Sequence, residues 1–103
     1  MENLMNLYDD LAWENADGYP EGTLKKQLRN DDKGVTMLLK LPPKFHMPLH
    51  SHLTVEQHFV ISGEYTSDNK TFKAGCYQMY KAGEEHGPFK SEKGALIIVI
   101  WDK

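Results

Sequence analysis

His50-Ser51-His52-Leu53-Thr54-Val55-Glu56 is the stretch on which the reading of this chain turns, and His86 is its distant complement. Three imidazoles and one carboxylate can surround a single divalent ion and leave positions open for water or substrate. Neutral imidazole suits Zn, Fe, Ni and Cu, and a carboxylate extends the range toward Mn. Cys76 is the single cysteine, so a closed cage of thiolates cannot be built within the chain. Side chains of an extended strand alternate between faces, which puts His50 and His52 on the same side. Leu53-Thr54-Val55 then turns the chain and brings Glu56, on the next strand, back beside them. Gly63 permits a tight turn out of that strand, and Gly83-Glu84-Glu85 supplies a second turn that returns His86 to the same point. The stretch therefore predicts strands around an open, chemically usable metal site.

Working outward, the same short-strand grammar covers most of the sequence. Thr23 to Arg29 and Val35 to Leu41 flank Asn30-Asp31-Asp32-Lys33-Gly34 and predict a hairpin with a loop of about five residues. Pro42-Pro43 ends the second of these strands, because proline donates no ladder hydrogen bond. His46 to His52, Glu56 to Ile61, Glu64 to Ser67, Lys70 to Phe72, Cys76 to Tyr80 and Ala95 to Trp101 are further candidates separated by turn residues. Many short, closely spaced strands argue for an all-β antiparallel sandwich or barrel. Ahead of them, Leu4, Leu7, Tyr8 and Leu11 follow the spacing of one helical face, so the start reads as a short helix or as a turn into a strand near Trp13. Gly18-Tyr19-Pro20-Glu21-Gly22 is a turn signal. The expected organisation is a short N-terminal extension, 1–18, and a single β domain, 19–103.

At 103 residues the chain is one domain's worth, and 40% hydrophobic residues support a packed core rather than disorder. A net charge of -3 offers no basic footprint for nucleic acid or an anionic membrane. The start shows no basic region followed by an apolar run, and the apolar run from Ala95 to Trp101 is far too short to span a bilayer. With one cysteine there is no internal disulfide, and a reducing, cytoplasmic setting is expected.

These motifs resemble the cupin superfamily. Its first motif has the form G-x5-HxH-x3-4-E-x6-G, matched by His50, His52, Glu56 and Gly63, with Lys44 where the leading glycine falls. Its second has the form G-x5-PxG-x2-H-x3-N, matched by Gly75, Gly83 and His86, with Lys81 for the proline and Lys90 for the asparagine. The resemblance covers roughly residues 19 to 102, and its style is similar to the ChrR-like cupins, a group that includes an anti-sigma factor's metal-binding domain and relatives of acetylacetone-cleaving dioxygenases. It implies a small antiparallel cupin β-barrel, or jelly roll, with His50, His52, Glu56 and His86 holding one divalent metal ion (Fe2+, Zn2+ or Mn2+) in its mouth. It also implies a homodimer.

Other residues are weaker candidates. Alternation from Glu56 places His58 on the same inward face, as a partner of the ligands, an acid/base, an extra ligand or a satisfied core histidine. His46 lies beyond Pro48 and its direction is open. Met37, Met47 and Met79 fit either a pocket or ordinary core. Phe45, Phe59 and Tyr80 suit an apolar mouth, Trp13 and Trp101 suit packing anchors, and Cys76 suits a small buried position. Glu84 and Glu85 read as solvated turn residues, and Asp31-Asp32-Lys33 as a hairpin tip.

Three functions are compatible with this set. In the first, a metal-dependent enzyme such as a dioxygenase acts on a small diketone- or enol-type substrate, with Glu56 and His58 as catalytic residues. In the second, a zinc-binding sensor or ligand-binding module reports a small molecule without catalysis. In the third, the metal only stabilises the barrel. On all three, the barrel core is expected to be separate from the site, so that ligand substitutions remove metal with modest loss of stability.

Overall fold

The computed structural model describes residues 4–51 and 53–103. Its elements are β1 (Glu14–Asn15), β2 (Leu24–Asn30), β3 (Gly34–Leu41), β4 (Phe45–Met47), β5 (His50–Ser51), β6 (Glu56–Ser67), β7 (Lys70–Lys73), β8 (Tyr77–Tyr80), β9 (Glu85–His86), β10 (Phe89–Ser91) and β11 (Ala95–Asp102). Every pairing is antiparallel. One curled sheet runs β1-β2-β3-β11-β6-β10-β4, with β7 and β8 also bonded to β6, and β5 and β9 form a separate two-stranded ribbon. This is the all-β antiparallel barrel that the strand pattern predicts, in the half-barrel form that the cupin resemblance implies.

The β2–β3 hairpin closes more tightly than the sequence suggests, with residues 31–33 alone outside the strands. The reason is the Asp31 carboxylate, which accepts backbone hydrogen bonds from Lys33 at 2.9 Å and Gly34 at 3.2 Å and so replaces part of the ladder. Pro42 does end β3. Leu4, Tyr8 and Leu11 are exposed and no helix forms among the described residues, so the helical alternative for the start is corrected: the segment is turns leading to β1. Eight local residues cannot bury an amphipathic face without something to pack on, and helix nucleation is too costly to persist alone. Trp13 is instead fixed by two cations, Lys26 Nζ at 4.7 Å and Lys40 Nζ at 5.7 Å from its ring centroid. Lys26 is buried on β2 and donates to the Asp9 carbonyl, which ties the start of the chain to the sheet.

β6 departs most from expectation. The sequence suggests two strands divided at Ser62-Gly63, with Gly63 turning the chain away; instead one strand of 12 residues runs through. Its first half pairs β11 and β8, and its second half pairs β7 and β10. The register slips where Ile97 faces Val60 but Leu96 faces Ser62, which leaves one extra residue on β6. The extra residue is Ile61, and Gly63, at φ +72°, is back in register opposite Ala95, so it continues the strand instead of reversing the chain. A Cβ there would lie 2.5 Å from the Gly94 carbonyl oxygen and 2.9 Å from Ala95 Cα, so glycine is required by space as well as by φ. The bulge bends β6 around the core, which consists of Leu39, Leu41, Phe45, Val60, Tyr65, Phe89, Ile97, Val99 and their neighbours.

Candidate metal centre

The ribbon of β5 and β9 sets His50 directly opposite His86. A cross-strand pair brings side chains on one face into contact, and the two imidazole centroids are 4.2 Å apart. Glu56 opens β6 next to this ribbon. Donor atoms of His50, Glu56 and His86 all lie within 4.8 Å of one another, near enough to share one ion. Glu56 and His86 are buried and His50 is half-buried. His52 lies outside the described residues.

Local hydrogen bonds orient these groups. His50 Nδ1 is 3.0 Å from the Pro48 carbonyl, which can only accept, so the ring carries its proton on Nδ1 and presents Nε2 as the basic nitrogen. Glu56 Oε2 is 2.6 Å from His58 Nε2 and 3.7 Å from His86 Nδ1. His58 Nδ1 is 3.1 Å from the Tyr65 hydroxyl. His58 is therefore buried in contact with Glu56. His46 sits on β4 between inward Phe45 and Met47, points to solvent and stays outside the cluster.

A cavity opens from the cluster into the barrel, lined by Tyr19, His50, Glu56, His58 and Tyr65 on the polar side and by Leu39, Leu41, Phe45, Met47, Phe89, Ile97 and Val99 elsewhere. Its free volume is about 30 Å³; one water needs roughly 10–15 Å³ on the same measure. Most of this lining belongs to the core cluster. The expectation that core and site are separate is thus corrected: the cluster stands at the polar end of the core, because the cavity beside it is walled largely by core side chains.

The weaker candidates divide between inside and outside. Met47 and Phe45 line the cavity, Met37 is in the core, and Met79 is exposed. Phe59 is exposed on the outer face against Tyr77, with ring centroids 4.7 Å apart, and takes no part in a mouth. Tyr80 is buried with its ring 4.2 Å from His86 and 5.2 Å from His58. Cys76 and Trp101 pack against the core, and Glu84 is a turn residue that accepts from the Lys81 amide. Glu85 belongs to β9 rather than to a turn, since pairing of Ser51 with it extends the ribbon.

Tyr19 and Tyr65 are cavity residues that sequence reasoning missed. Inward positions run 56, 58, 60 before the bulge and 65, 67 after it, so the change of parity that hides Tyr65 is readable only once the extra residue at Ile61 is known. Tyr19 carried no signal beyond its turn. Burial, and then the Glu56 charge, push the Tyr19 hydroxyl far above its ordinary range. Burial does the same for Tyr65, reinforced by Tyr80. Burial pushes Tyr80 up to about 12, opposed by its interaction with Tyr65 and aided by Glu56. All three hydroxyls are protonated donors at neutral pH.

The donor set fits a divalent ion: two imidazoles and a carboxylate, two of the three buried and His50 half-buried, suit Zn, Fe or Mn. Lys44, where the cupin motif has glycine, adopts φ +61°, so the turn keeps its left-handed shape despite the substitution. Comparison with solved structures shows the same fold. An acetylacetone dioxygenase from Acinetobacter johnsonii aligns with TM-score 0.81 at 14% identity over 99% of this chain and 74% of its own. An RmlC-like cupin from Shewanella frigidimarina gives 0.76 at 18% identity, covering 88% and 82%. A chain of the Rhodobacter sphaeroides complex of SigE with the anti-sigma ChrR gives 0.74 at 22% identity; the match covers 93% of this chain and 51% of that one, so this chain spans about half its length. No curated protein matches the sequence. The model of the ChrR cupin-like domain matches residues 2–102, and the chain belongs to that family.

Proposed function

We propose that this protein is a metal-dependent enzyme in which His50, His52, Glu56 and His86 hold one divalent ion, Fe2+, Mn2+ or Zn2+, and which acts on a small diketone- or enol-type molecule, as a dioxygenase when the ion is iron. The observation that carries the reading is the convergence of His50, Glu56 and His86 at the polar end of an otherwise apolar cavity. When bound, the ion polarises a chelated oxygen as a Lewis acid, and iron adds redox chemistry. The chain's own residues supply the rest. The apolar walls exclude water and orient a small carbon skeleton, and the Tyr19 hydroxyl donates to an oxygen that faces it. Glu56 and His58 are the catalytic pair, with the proton they share held between Oε2 and Nε2, ready to be exchanged with an enol.

The fold likeness to an acetylacetone dioxygenase supports this choice. Membership of the ChrR cupin-like family and the small free volume support a second reading, a zinc-holding sensor of a small ligand. In the same proposal the protein is cytoplasmic, needing no oxidising compartment for its one cysteine, and homodimeric, with exposed Phe59, Tyr77 and Met79 covered by the partner. Iron-loaded protein is expected to consume O2 on addition of small diketones or enols, measured with an oxygen electrode. Tightly held zinc and no uptake with any loaded metal would select the sensor instead.

A further inference from the structure

Three buried groups stand in line behind the proposed metal ligands. The Tyr65 hydroxyl is 3.1 Å from His58 Nδ1, and His58 Nε2 is 2.6 Å from Glu56 Oε2. Tyr65, His58 and Glu56 are 2%, 6% and 3% exposed, so both contacts are buried. A carboxylate has lone pairs and no proton to give. If Glu56 is a carboxylate, the proton in its contact with His58 sits on Nε2. Neutral His58 then presents a bare Nδ1, which needs a donor, and the Tyr65 hydroxyl is placed to be that donor. The polarity of the line is thus set at its Glu56 end.

We propose that Tyr65 is a positioning residue: by donating its hydroxyl proton to His58 Nδ1 it fixes the Nε2–H tautomer of His58, and His58 thereby holds Glu56 as a carboxylate turned toward His50 and His86. The inference rests on reading His50, Glu56 and His86 as metal ligands. Without the Tyr65 hydroxyl, His58 moves its proton to Nδ1 for part of the time. A bare Nε2 then meets Glu56 Oε2 lone pair to lone pair, and the carboxylate turns away. Partners of this kind are commonly worth 10–100-fold in metal affinity. The Tyr65 ring is held independently by stacking on Phe72, with centroids 5.0 Å apart, so loss of the hydroxyl alone leaves the packing in place.

The test uses Zn2+ as the probe metal. Its dissociation constant is measured by competition with a chromogenic chelator for wild type, Tyr65→Phe, His58→Leu, His58→Gln and His86→Ala, and the His58 tautomer is read by long-range proton–nitrogen NMR. Tyr65→Phe and His58→Leu are expected to weaken zinc binding roughly 10–100-fold, and His58→Gln, whose amide both donates and accepts, to recover most of it. Wild type is expected to show the Nε2–H tautomer and Tyr65→Phe a mixture of both. A purely structural role for Tyr65 would lower the melting temperature and leave affinity and tautomer unchanged, which would overturn the inference. His58→Gln as weak as His58→Leu would overturn it too. Failure of the metal reading itself looks different: wild type and His86→Ala would then bind zinc equally poorly, and the inference would fall with it.

Discussion

At the residue scale the site is an argument about a few polar groups whose burial is tolerable only because they serve one another. Glu56, His58 and His86 are all nearly inaccessible, and an isolated charge in such a place would be expelled or neutralised. A shared divalent ion resolves this for the ligands. His86→Ala should therefore reduce affinity for Zn2+ by more than ~100-fold, beyond the effect of an indirect partner. Because His86 is also buried, the variant should melt several degrees lower, at roughly 4–8 °C per kcal/mol for a domain of this size; calorimetry alongside metal titration checks both. The buried tyrosines make a second prediction. The folded protein holds protons on Tyr19, Tyr65 and Tyr80 above the ordinary tyrosine pKa of 10.0, where the unfolded chain has released them. Proton uptake then favours the native state less and less as pH rises, so their contribution to stability is complete below pH 10 and is lost above it, through about 12 for Tyr80. Tyrosinate absorbance followed with circular dichroism should show a late ionisation phase that coincides with alkaline unfolding. A late phase absent from the titration would contradict the buried hydroxyls.

At the scale of elements, β6 decides what each inward residue is. Its bulge at Ile61 lets one strand serve two directions of the sheet and changes the inward parity from Glu56 and His58 to Tyr65 and Ser67. Gly63→Ala places a methyl against backbone that cannot yield and forces a left-handed φ on an alanine. A loss of about 2–4 kcal/mol is expected, seen as a lower urea midpoint at unchanged m value. This element also shows what could be read in advance. The HxH-x3-E spacing and the turn glycines located the ligand candidates and most strands, because period-two alternation and turn chemistry are local. The bulge, β9 and β10 were not legible: two- and three-residue strands carry no period, and a glycine within a strand looks like a glycine in a turn until its partner's register is known. Tyr19 and Tyr65 were hidden for the same reason, since their neighbours across the cavity are distant in sequence.

For the molecule as a whole, the barrel and the site are one structure. Leu39 is 2% exposed, belongs to the core and lines the cavity. Leu39→Ala should cost about 2–5 kcal/mol, measurable by thermal unfolding, and should enlarge the space into which a ligand enters. The all-β architecture was legible because many short alternating strands leave few other solutions; that His50, Glu56 and His86 meet depended on the β5–β9 ribbon lying beside the start of β6. The central claim is that this meeting builds a metal site. Metal analysis of protein purified anaerobically, without chelators or a metal-affinity step, tests it most directly, with His86→Ala prepared in parallel. The account predicts about one divalent ion per chain in wild type and near none in the variant. Wild type free of metal after incubation with Fe2+, Mn2+ and Zn2+, or a variant that retains as much as wild type, would contradict it.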